Sequence, residues 1–323
     1  TQNTEAYQLY LKGRYFWDRR AAADLKKSIE YFEQALKKDP GFALAYAGLA
    51  DSYALLVSGG GDFSMHVGDA ISKAREAVMK ALTLDESLAD AHTSLGIIHL
   101  NYDWDWASAE REFKRALELN PGSSNAHYWY SLYLSAMDRP DEAIAEGRLA
   151  AQIEPLEPLR FAQVARALIY AGRFEEAVAE SRKGLELDSN RVIARYMLAE
   201  AYLGLKQYQV AIAEYEKSSP FIENGPMADA TIAVAHALSG QPGEAQRVLA
   251  ELNKLAEREY VSPYYFIDLY SSIGDRDKAF EWVEKAYQER AGFLAYARVD
   301  NVLVRLRDDP RYADLLRRLE LAS

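Results

Sequence analysis

Small residues recur along the chain at a nearly constant interval, each inside a run whose apolar positions lie three or four residues apart. Alanine occupies this position at successive steps of 34 residues: Ala109, Ala143, Ala177, Ala211, Ala245 and Ala279. Upstream, Ala74 precedes Ala109 by 35 residues, and Ser28 precedes Ala74 by 46. The three-to-four spacing is typical of one face of an α-helix, and a fixed period of this length predicts one helical unit stacked many times.

A second series of small residues keeps the same phase and predicts how the helices pack. Its members are Gly13, Ala50, Gly96, Ser131, Ala165, Ala199 and Ala233, and Ile267 is the exception. Two helices approach closely only where side chains are small, so we expect these residues at the crossing of a first and a second helix in each unit. Pro40, Pro121 and Pro155 end second helices, because proline lacks an amide donor and disfavours a helical conformation in the residue before it. The pattern predicts about eight helical hairpins.

The 34-residue hairpin is similar to the tetratricopeptide repeat (TPR). Beyond the repeat, stretches such as NTEAYQLYLKGRYFWDRR and YDWDWASAEREFKRALELNP resemble the C-terminal TPR region of large bacterial regulators. In such regulators the region follows a winged-helix, adenylate cyclase or serine/threonine kinase domain, often with a TolB-like segment between. The resemblance implies an all-α fold, an α-α superhelix of about eight helical hairpins with a C-terminal capping helix, and a role in bacterial signalling or transcriptional regulation.

The repeat phase also sets the expected boundaries of one TPR solenoid covering residues 1–323. Its units are 4–40, 41–88, 89–123, 124–157, 158–191, 192–225, 226–259 and 260–293, followed by a cap at 294–323. The first interval is longer because of an insertion at 58–69. Apolar residues share one helical face near the end of the cap: Tyr312, Leu315, Leu316 and Leu319. We expect this helix, over 310–321, to cover the apolar face of the last hairpin.

Composition and charge narrow the possible partners and the compartment. A net charge of -11 leaves no broad basic surface for a phosphate backbone, so we expect no direct binding to nucleic acid. No apolar run reaches the roughly 18 residues that a membrane span needs. The sequence begins with Thr1 and not with methionine, which indicates a processed chain or an excised domain. We expect a cytoplasmic location, or a periplasmic one if a membrane span precedes Thr1.

Motifs for catalysis or for ligand binding are weak. His92, His99, His127 and His236 occupy packing positions of the repeat, and neither HxxxH nor HExxH occurs. The glycine run SGGGDF at 58–63 lacks the lysine of a phosphate-binding loop and does not follow a strand. The absence of cysteine excludes disulfides and thiol nucleophiles. No set of nucleophile, base and orienting residue can be assembled, so we expect no enzymatic activity, no metal site and no cofactor.

Candidate binding residues lie on the first helix of each hairpin, the helix that lines the concave surface of a TPR array. The repeat phase assigns to this face a set that we call the inner-face residues: Tyr10, Arg14, Asp51, Asn125, Tyr128, Arg166, Tyr170, Tyr196, Glu200, Tyr264 and Asp268. Tyrosine combines a large apolar ring with a hydroxyl group, which suits the binding of an extended peptide or a partner helix. For each of these tyrosines, packing between neighbouring first helices is the alternative role.

Arg166 is expected to lie at the centre of this binding surface. Tyr128 and Tyr196 flank its guanidinium, and Glu200 is placed to orient it through an ion pair. Clusters of arginine and tyrosine are typical of binding hot spots. Truncating Arg166 or Tyr196 is therefore expected to weaken partner binding while changing the free energy of unfolding by less than about 1 kcal/mol.

Two hypotheses for the function follow. In the first, the chain is an interaction scaffold or regulatory module that binds a protein or peptide partner in its groove. In the second, it senses a small ligand, held in the superhelical cavity or near the 58–69 insertion, that changes the curvature of the array. A receptor for chaperone tails is not expected, because Tyr10 and Arg14 stand where the Lys and Asn of a carboxylate clamp would be.

Overall fold

A computed structural model describes residues 1–19, 22–57, 67–218 and 225–322, and within these ranges every regular element is a helix. The α-helices are α1 (Thr4–Arg19), α2 (Ala22–Lys38), α3 (Ala43–Leu56), α4 (Val67–Leu84), α5 (Ala89–Ile98), α6 (Trp106–Leu119), α7 (Ser124–Ala136), α8 (Pro140–Ile153), α9 (Pro158–Tyr170), α10 (Phe174–Leu187), α11 (Val192–Gly204), α12 (Tyr208–Ser218), α13 (Gly225–Leu238), α14 (Gly243–Ala256), α15 (Pro263–Ser272), α16 (Arg276–Gln288), α17 (Asn301–Val304) and α18 (Pro310–Arg318). The glycine run at 58–63 and most of the 58–69 insertion lie outside the described residues.

The chain divides into two compact units. Unit 1 comprises Thr1–Trp129 and Glu289–Ala295, and unit 2 comprises Tyr130–Gln288 and Tyr296–Ser323. The segment that follows α16 therefore contributes first to unit 1 and then to unit 2. No helix in the described ranges is long and apolar enough to cross a lipid bilayer.

Consecutive helices pack as hairpins in both units. In unit 1, α1 packs on α2, α3 on α4 and α5 on α6; in unit 2, α9 packs on α10, α11 on α12, α13 on α14 and α15 on α16. The remaining hairpin joins α7 and α8, where the Ser131 hydroxyl donates to the Ala143 carbonyl at 2.6 Å. The prediction of an all-α fold with eight helical hairpins and a C-terminal capping helix is confirmed for the described part of the chain.

First helices also contact the first helices of neighbouring hairpins. In unit 1, α1 contacts α3 and α3 contacts α5; in unit 2, α9 contacts α11 and α13 contacts α15. Side chains of successive first helices therefore share one face within each unit. This is the arrangement that the repeat phase assumed for the inner-face residues.

Small residues allow the helices to cross closely. A Cβ atom added to Gly13 would lie 2.6 Å from the ring of Phe32, and one added to Gly48 would lie 2.5 Å from the same ring. Gly96 has the same relation to Phe113, at 2.7 Å. Both phenylalanine rings are fully buried, so neither can move aside without disturbing its neighbours. The small residues of the repeat are thus required by the packing.

The C-terminal helix α18 covers the second helix of the last hairpin. Leu315 is buried, Arg318 donates to Glu284 on α16 at 2.7 Å, and its guanidinium lies 3.8 Å from the Tyr287 ring. The Asp309 side chain caps the N-terminus of α18 by accepting from the Arg311 amide at 3.0 Å. Apolar residues therefore face the hairpin, and arginines connect the edge of α18 to α16.

We predict that Gly96→Ala lowers the free energy of unfolding by about 1–3 kcal/mol, because the added methyl group overlaps the buried ring of Phe113. Urea denaturation measures the change. Gly68→Ala on α4 is the matched control: nothing lies within 4 Å of its added Cβ, so no loss is expected there. Equal stability of the two variants would contradict the close-crossing explanation.

Removing 310–321 is expected to lower the melting temperature and the solubility. The deletion exposes the apolar side of α16 that Leu315 and its neighbours cover, and an uncovered end of a repeat array favours association. Thermal unfolding and light scattering measure the two effects. A truncated protein that stays monodisperse and melts at the original temperature would show that α18 does not act as a cap.

Candidate functional site

The first two inner-face residues, Tyr10 and Arg14, pack on aromatic rings in unit 1. The Tyr10 ring centroid lies 5.7 Å from that of Phe32 and 5.2 Å from that of Phe42. Burial raises the pKa of Tyr10 to about 12, so its hydroxyl stays protonated at neutral pH. The Arg14 guanidinium lies 4.2 Å from the Trp17 ring. Both side chains are half-buried and keep part of their surface in solvent.

Asp51 has a packing role between two first helices. It lies on α3 and is buried, and its carboxylate accepts a short hydrogen bond from the Ser94 hydroxyl on α5. This contact joins neighbouring first helices within unit 1. Asp51 therefore supports the shared face and presents little surface to a partner.

On α7, two inner-face residues lie beside buried polar atoms that lack partners. Asn125 and Tyr128 are both buried, and the Tyr128 ring lies 5.1 Å from the Trp129 ring. Among the described residues, neither Asn125 Oδ1 nor Trp129 Nε1 has a hydrogen-bond partner. Leaving a buried polar group unpaired costs about 1–3 kcal/mol. A buried acceptor and a buried donor thus lie one helical turn apart, each without a hydrogen bond among the described residues.

A π-helical turn at the end of α5 is the attachment point of residues 289–295 in unit 1. The turn spans His99–Asp103, and Trp104 follows it in a left-handed conformation with φ of 56°. Arg290 donates to the carbonyl oxygens of Tyr102 and Asp103 at 3.3 Å each, and its guanidinium lies 5.0 Å from the Trp104 ring. The repeat phase gave no signal for this contact, because Arg290 follows the last hairpin.

In unit 2, three inner-face residues contact one stretch of the chain, residues 296–305, which follows the last hairpin. Tyr170 on α9 stacks on Tyr296 at 5.8 Å between centroids. The Tyr264 hydroxyl on α15 donates to Asp300 Oδ2 at 3.4 Å. Asp268, also on α15, accepts a hydrogen bond from Arg305. Sequence reasoning missed Asp300 and Arg305, which it had assigned to the cap.

Glu200 faces the same region from α11. Its carboxylate accepts a short hydrogen bond from the Tyr215 hydroxyl on α12. A small cavity lies beside it, with room for about one water molecule. Its lining includes Glu200, Tyr215, Thr231, Asp268, Asn301 and Arg305. Glu200 and Asp268 therefore share one polar pocket with residues of the 296–305 segment.

We call Glu200, Asp268, Asp300 and Arg305 the charge cluster of unit 2. The pKa of Glu200 is raised to about 7, mainly by burial; the hydrogen bond from Tyr215 opposes this increase, and the carboxylates of Asp268 and Asp300 contribute to it. Burial likewise raises the pKa of Asp300 to about 6. Burial also raises the pKa of Asp268, although the adjacent Arg305 opposes this. The cluster thus holds three carboxyl groups and one guanidinium.

The structure adds contacts to two of the residues expected around Arg166. The ion pair of Glu200 with Arg166 stays a prediction; Glu200 accepts a hydrogen bond from Tyr215, and the guanidinium of Arg305 lowers its pKa. Tyr196 was expected to be separable from core packing. Its ring instead packs at 5.6 Å from the Tyr215 ring and against two clusters of buried residues. Truncating Tyr196 therefore removes core contacts, and a small change in stability is no longer expected. Arg166 itself is half-buried on α9.

Raising the pH from 5 to 8 is expected to destabilise unit 2. The pKa of Glu200 is 4.5 in the unfolded chain and about 7 in the folded chain, so between these pH values the folded state binds more protons than the unfolded state. Stability that is present at low pH is then lost as the pH rises through this window. Ionisation of Asp300 destabilises the folded state in the same way, because its pKa rises from 3.8 in the unfolded chain to about 6 in the folded chain.

The test compares urea denaturation of the wild type and Glu200→Gln at several pH values. Glutamine keeps an acceptor for Tyr215 and removes the charge, so the variant should be more stable at pH 8 by an amount on the order of 1 kcal/mol. Its stability should also depend less on pH between 5 and 8. An equally steep pH dependence in both proteins would rule out Glu200 as the titrating group.

Comparisons with known proteins agree with this architecture. Two family models described as tetratricopeptide repeat match residues 112–145 and 164–223. TTC0263, a TPR protein of Thermus thermophilus, is 19% identical with a TM-score of 0.50, over 61% of this chain and 99% of that chain. A chain of the APC/C hetero-tetramer Cut9-Hcn1 is 19% identical with a TM-score of 0.51, over 72% of this chain and 46% of that chain.

A curated human protein also matches in part. Protein O-mannosyl-transferase TMTC3 is 31% identical over 97 residues, which are 30% of this chain and 9% of the human protein. The match thus spans a small part of that protein, and the activity in its name belongs to that protein. The family models and the solved structures together establish that this chain contains tetratricopeptide repeats and has the fold of a TPR array.

Proposed function

We propose that the chain is a protein-interaction module that binds a peptide or a segment of a partner protein on its inner-face residues. The observation that carries the proposal is the contact between three of these residues and polypeptide in unit 2. Tyr170, Tyr264 and Asp268 hold residues 296–305 through a ring stack, a hydroxyl hydrogen bond and an ion pair. The same types of side chain that hold this segment can hold a segment of another protein.

Unit 1 supplies the groups that are suited to a separate partner. Tyr10 and Arg14 are half-buried, and Asn125 Oδ1 and Trp129 Nε1 lack hydrogen-bond partners among the described residues. A peptide backbone offers an amide donor for Asn125 and a carbonyl acceptor for Trp129. A hydrogen bond to each group would offset the desolvation cost of its burial, and this gain favours the bound state over the free state.

The small-ligand hypothesis has less support. Binding pockets for small molecules are typically about 300–1,000 Å³, whereas the cavity beside Glu200 in unit 2 has room for about one water molecule. Of the two places expected for a ligand, the superhelical cavity and the insertion at 58–69, the insertion lies mostly outside the described residues. We therefore retain the protein-binding function and propose no catalytic activity, cofactor or nucleic-acid partner for this region.

The biological setting that we propose rests on the sequence resemblance. Stretches of the chain resemble the TPR region of bacterial regulators, so we propose that it recruits or senses a protein for an attached signalling or transcription-regulating domain. On that proposal the compartment is the cytoplasm, or the periplasm when a membrane span precedes the region.

The test uses peptides selected from a displayed random-peptide library against the full chain. We predict two separate effects, each of about tenfold or more, the scale of a binding hot spot. Asn125→Ala weakens binding of selected peptides that use the unit 1 face, and Arg166→Ala weakens binding of those that use the unit 2 face. The free energy of unfolding should change little for Asn125→Ala, because the packing lost with the buried side chain is offset by removal of the unpaired Oδ1. Fluorescence anisotropy measures affinity, and urea denaturation measures stability.

Ser181→Ala is the matched control for Asn125→Ala. Ser181 Oγ is also buried and without a hydrogen-bond partner among the described residues, but it lies on α10, the second helix of its hairpin. Its truncation should leave affinity unchanged. Peptides that bind the wild type and both test variants equally would remove the inner face as the binding site. Failure to select any peptide would count against the function itself.

A further inference from the structure

We propose that residues 296–305 act as an intramolecular ligand of unit 2, and that a partner segment carrying a basic residue but no acidic residue takes their place. This inference deepens the proposed function, because it names the chemistry that the unit 2 face accepts. It concerns residues of unit 2, whereas the Asn125 test concerns unit 1, so each can fail without the other.

The 296–305 segment makes the kinds of contact that a bound peptide makes. Its first residue, Tyr296, stacks on Tyr170, and its last residue, Arg305, pairs with Asp268. Arg305 also donates from Nε to the Ser271 hydroxyl at 3.2 Å. Between these ends, Val302 is almost fully buried. An aromatic anchor, an apolar anchor and a guanidinium thus hold one short segment on α9 and α15.

The segment belongs to no hairpin of the repeat. Its own regular structure is the four-residue helix α17 with one turn of 3₁₀-helix before it, Gly292–Tyr296. A helix of this length is not stable alone, so its conformation depends on the contacts with unit 2. We expect the hairpins of unit 2 to stay in place when the segment is released, since α15 and α16 pack directly on each other.

Charge explains why a different segment would bind better. The face contributes Glu200 and Asp268, and both carboxyl groups lie near Arg305. The segment supplies this guanidinium but also brings Asp300, whose carboxylate acts unfavourably on those of Glu200 and Asp268. The three carboxyl groups of the charge cluster therefore share the guanidinium of Arg305. A segment with arginine at the position of Arg305 and a neutral residue at that of Asp300 keeps the attraction and removes the repulsion.

Asp300 also explains why the intrinsic segment is held at all. Its Oδ1 accepts from the Val302 amide at 3.0 Å and caps the N-terminus of α17. Asparagine caps helices about as well as aspartate and carries no charge. The change Asp300→Asn in a free peptide should therefore keep the local structure and strengthen the binding, with Nδ2 donating to the Tyr264 hydroxyl in place of the bond that Oδ2 accepts.

The experiment measures binding of a fluorescent peptide with the sequence of residues 296–306, YARVDNVLVRL. The chain variant Arg305→Ala weakens the intrinsic segment and leaves the face intact, so it should bind this peptide at least tenfold more tightly than the wild type does. A peptide carrying Asp300→Asn should bind more tightly than the original peptide, and one carrying Arg305→Ala should not bind.

Two control variants of the full chain separate binding from folding. Asp268→Asn in the Arg305→Ala background should abolish binding, because it removes the carboxylate that accepts the guanidinium. Arg317→Ala removes an exposed arginine that pairs with Asp314 on α18, and it should behave as the wild type. Equal affinity of the wild type and Arg305→Ala for the peptide, or no binding by either, would overturn the proposal.

Hydrogen exchange supplies a second measurement that does not depend on a weakened variant. When a saturating concentration of the Asp300→Asn peptide is added to the wild-type chain, amides of 296–305 should exchange faster, because the intrinsic segment is displaced. Amides of α15 should keep their protection. Unchanged or slower exchange in 296–305 would show that the segment is a permanent part of unit 2.

Discussion

The close crossing of two helices at a small residue is the constraint on which the rest of this structure depends. Phe32 fills the space between Gly13 and Gly48, and a methyl group at either glycine would overlap its ring. The crossing fixes the rotation of each first helix about its own axis. Since one side of the helix must meet the second helix, the residues on the other side are assigned to the inner face. The candidate site is therefore a consequence of packing on its opposite side.

This dependence explains which features could be predicted from the sequence. The period, the small residues and the prolines report contacts within one hairpin or between adjacent hairpins, which repeat along the chain. The same phase assigned Tyr170, Tyr264 and Asp268 to a face on which polypeptide lies. It could not predict what covers that face. Arg305 lies 37 residues beyond Asp268 and outside the repeats, so the contact has no counterpart elsewhere in the sequence.

The contacts of Glu200 and Tyr196 with Tyr215 were missed for a related reason. The phase compares positions on successive first helices, and it paired Glu200 with Arg166 on that basis. Tyr215, which donates to Glu200 and packs against Tyr196, lies on the second helix of the same hairpin. The large side chain of Tyr215 extends from the second helix to the face of the first helix on which the repeat phase had placed Glu200 and Tyr196. Predicting this requires the size of the side chain as well as its position.

The charge cluster is difficult to explain by stability alone. The free energy needed to desolvate two buried ions can exceed the attraction between them, and apolar residues of similar volume often give equal or greater stability. Attaching residues 296–305 requires one carboxylate, Asp268, to hold Arg305. Glu200 and Asp300 add carboxyl groups beside that pair; burial is the main cause of their raised pKa values, and the neighbouring carboxylates contribute in the same direction. An intramolecular segment acts at an effective concentration in the millimolar range, so a competing partner must gain its advantage from better contacts. The excess of carboxyl groups provides this advantage. Because the segment neutralises them only in part, a partner that brings a cation and no carboxylate binds more favourably.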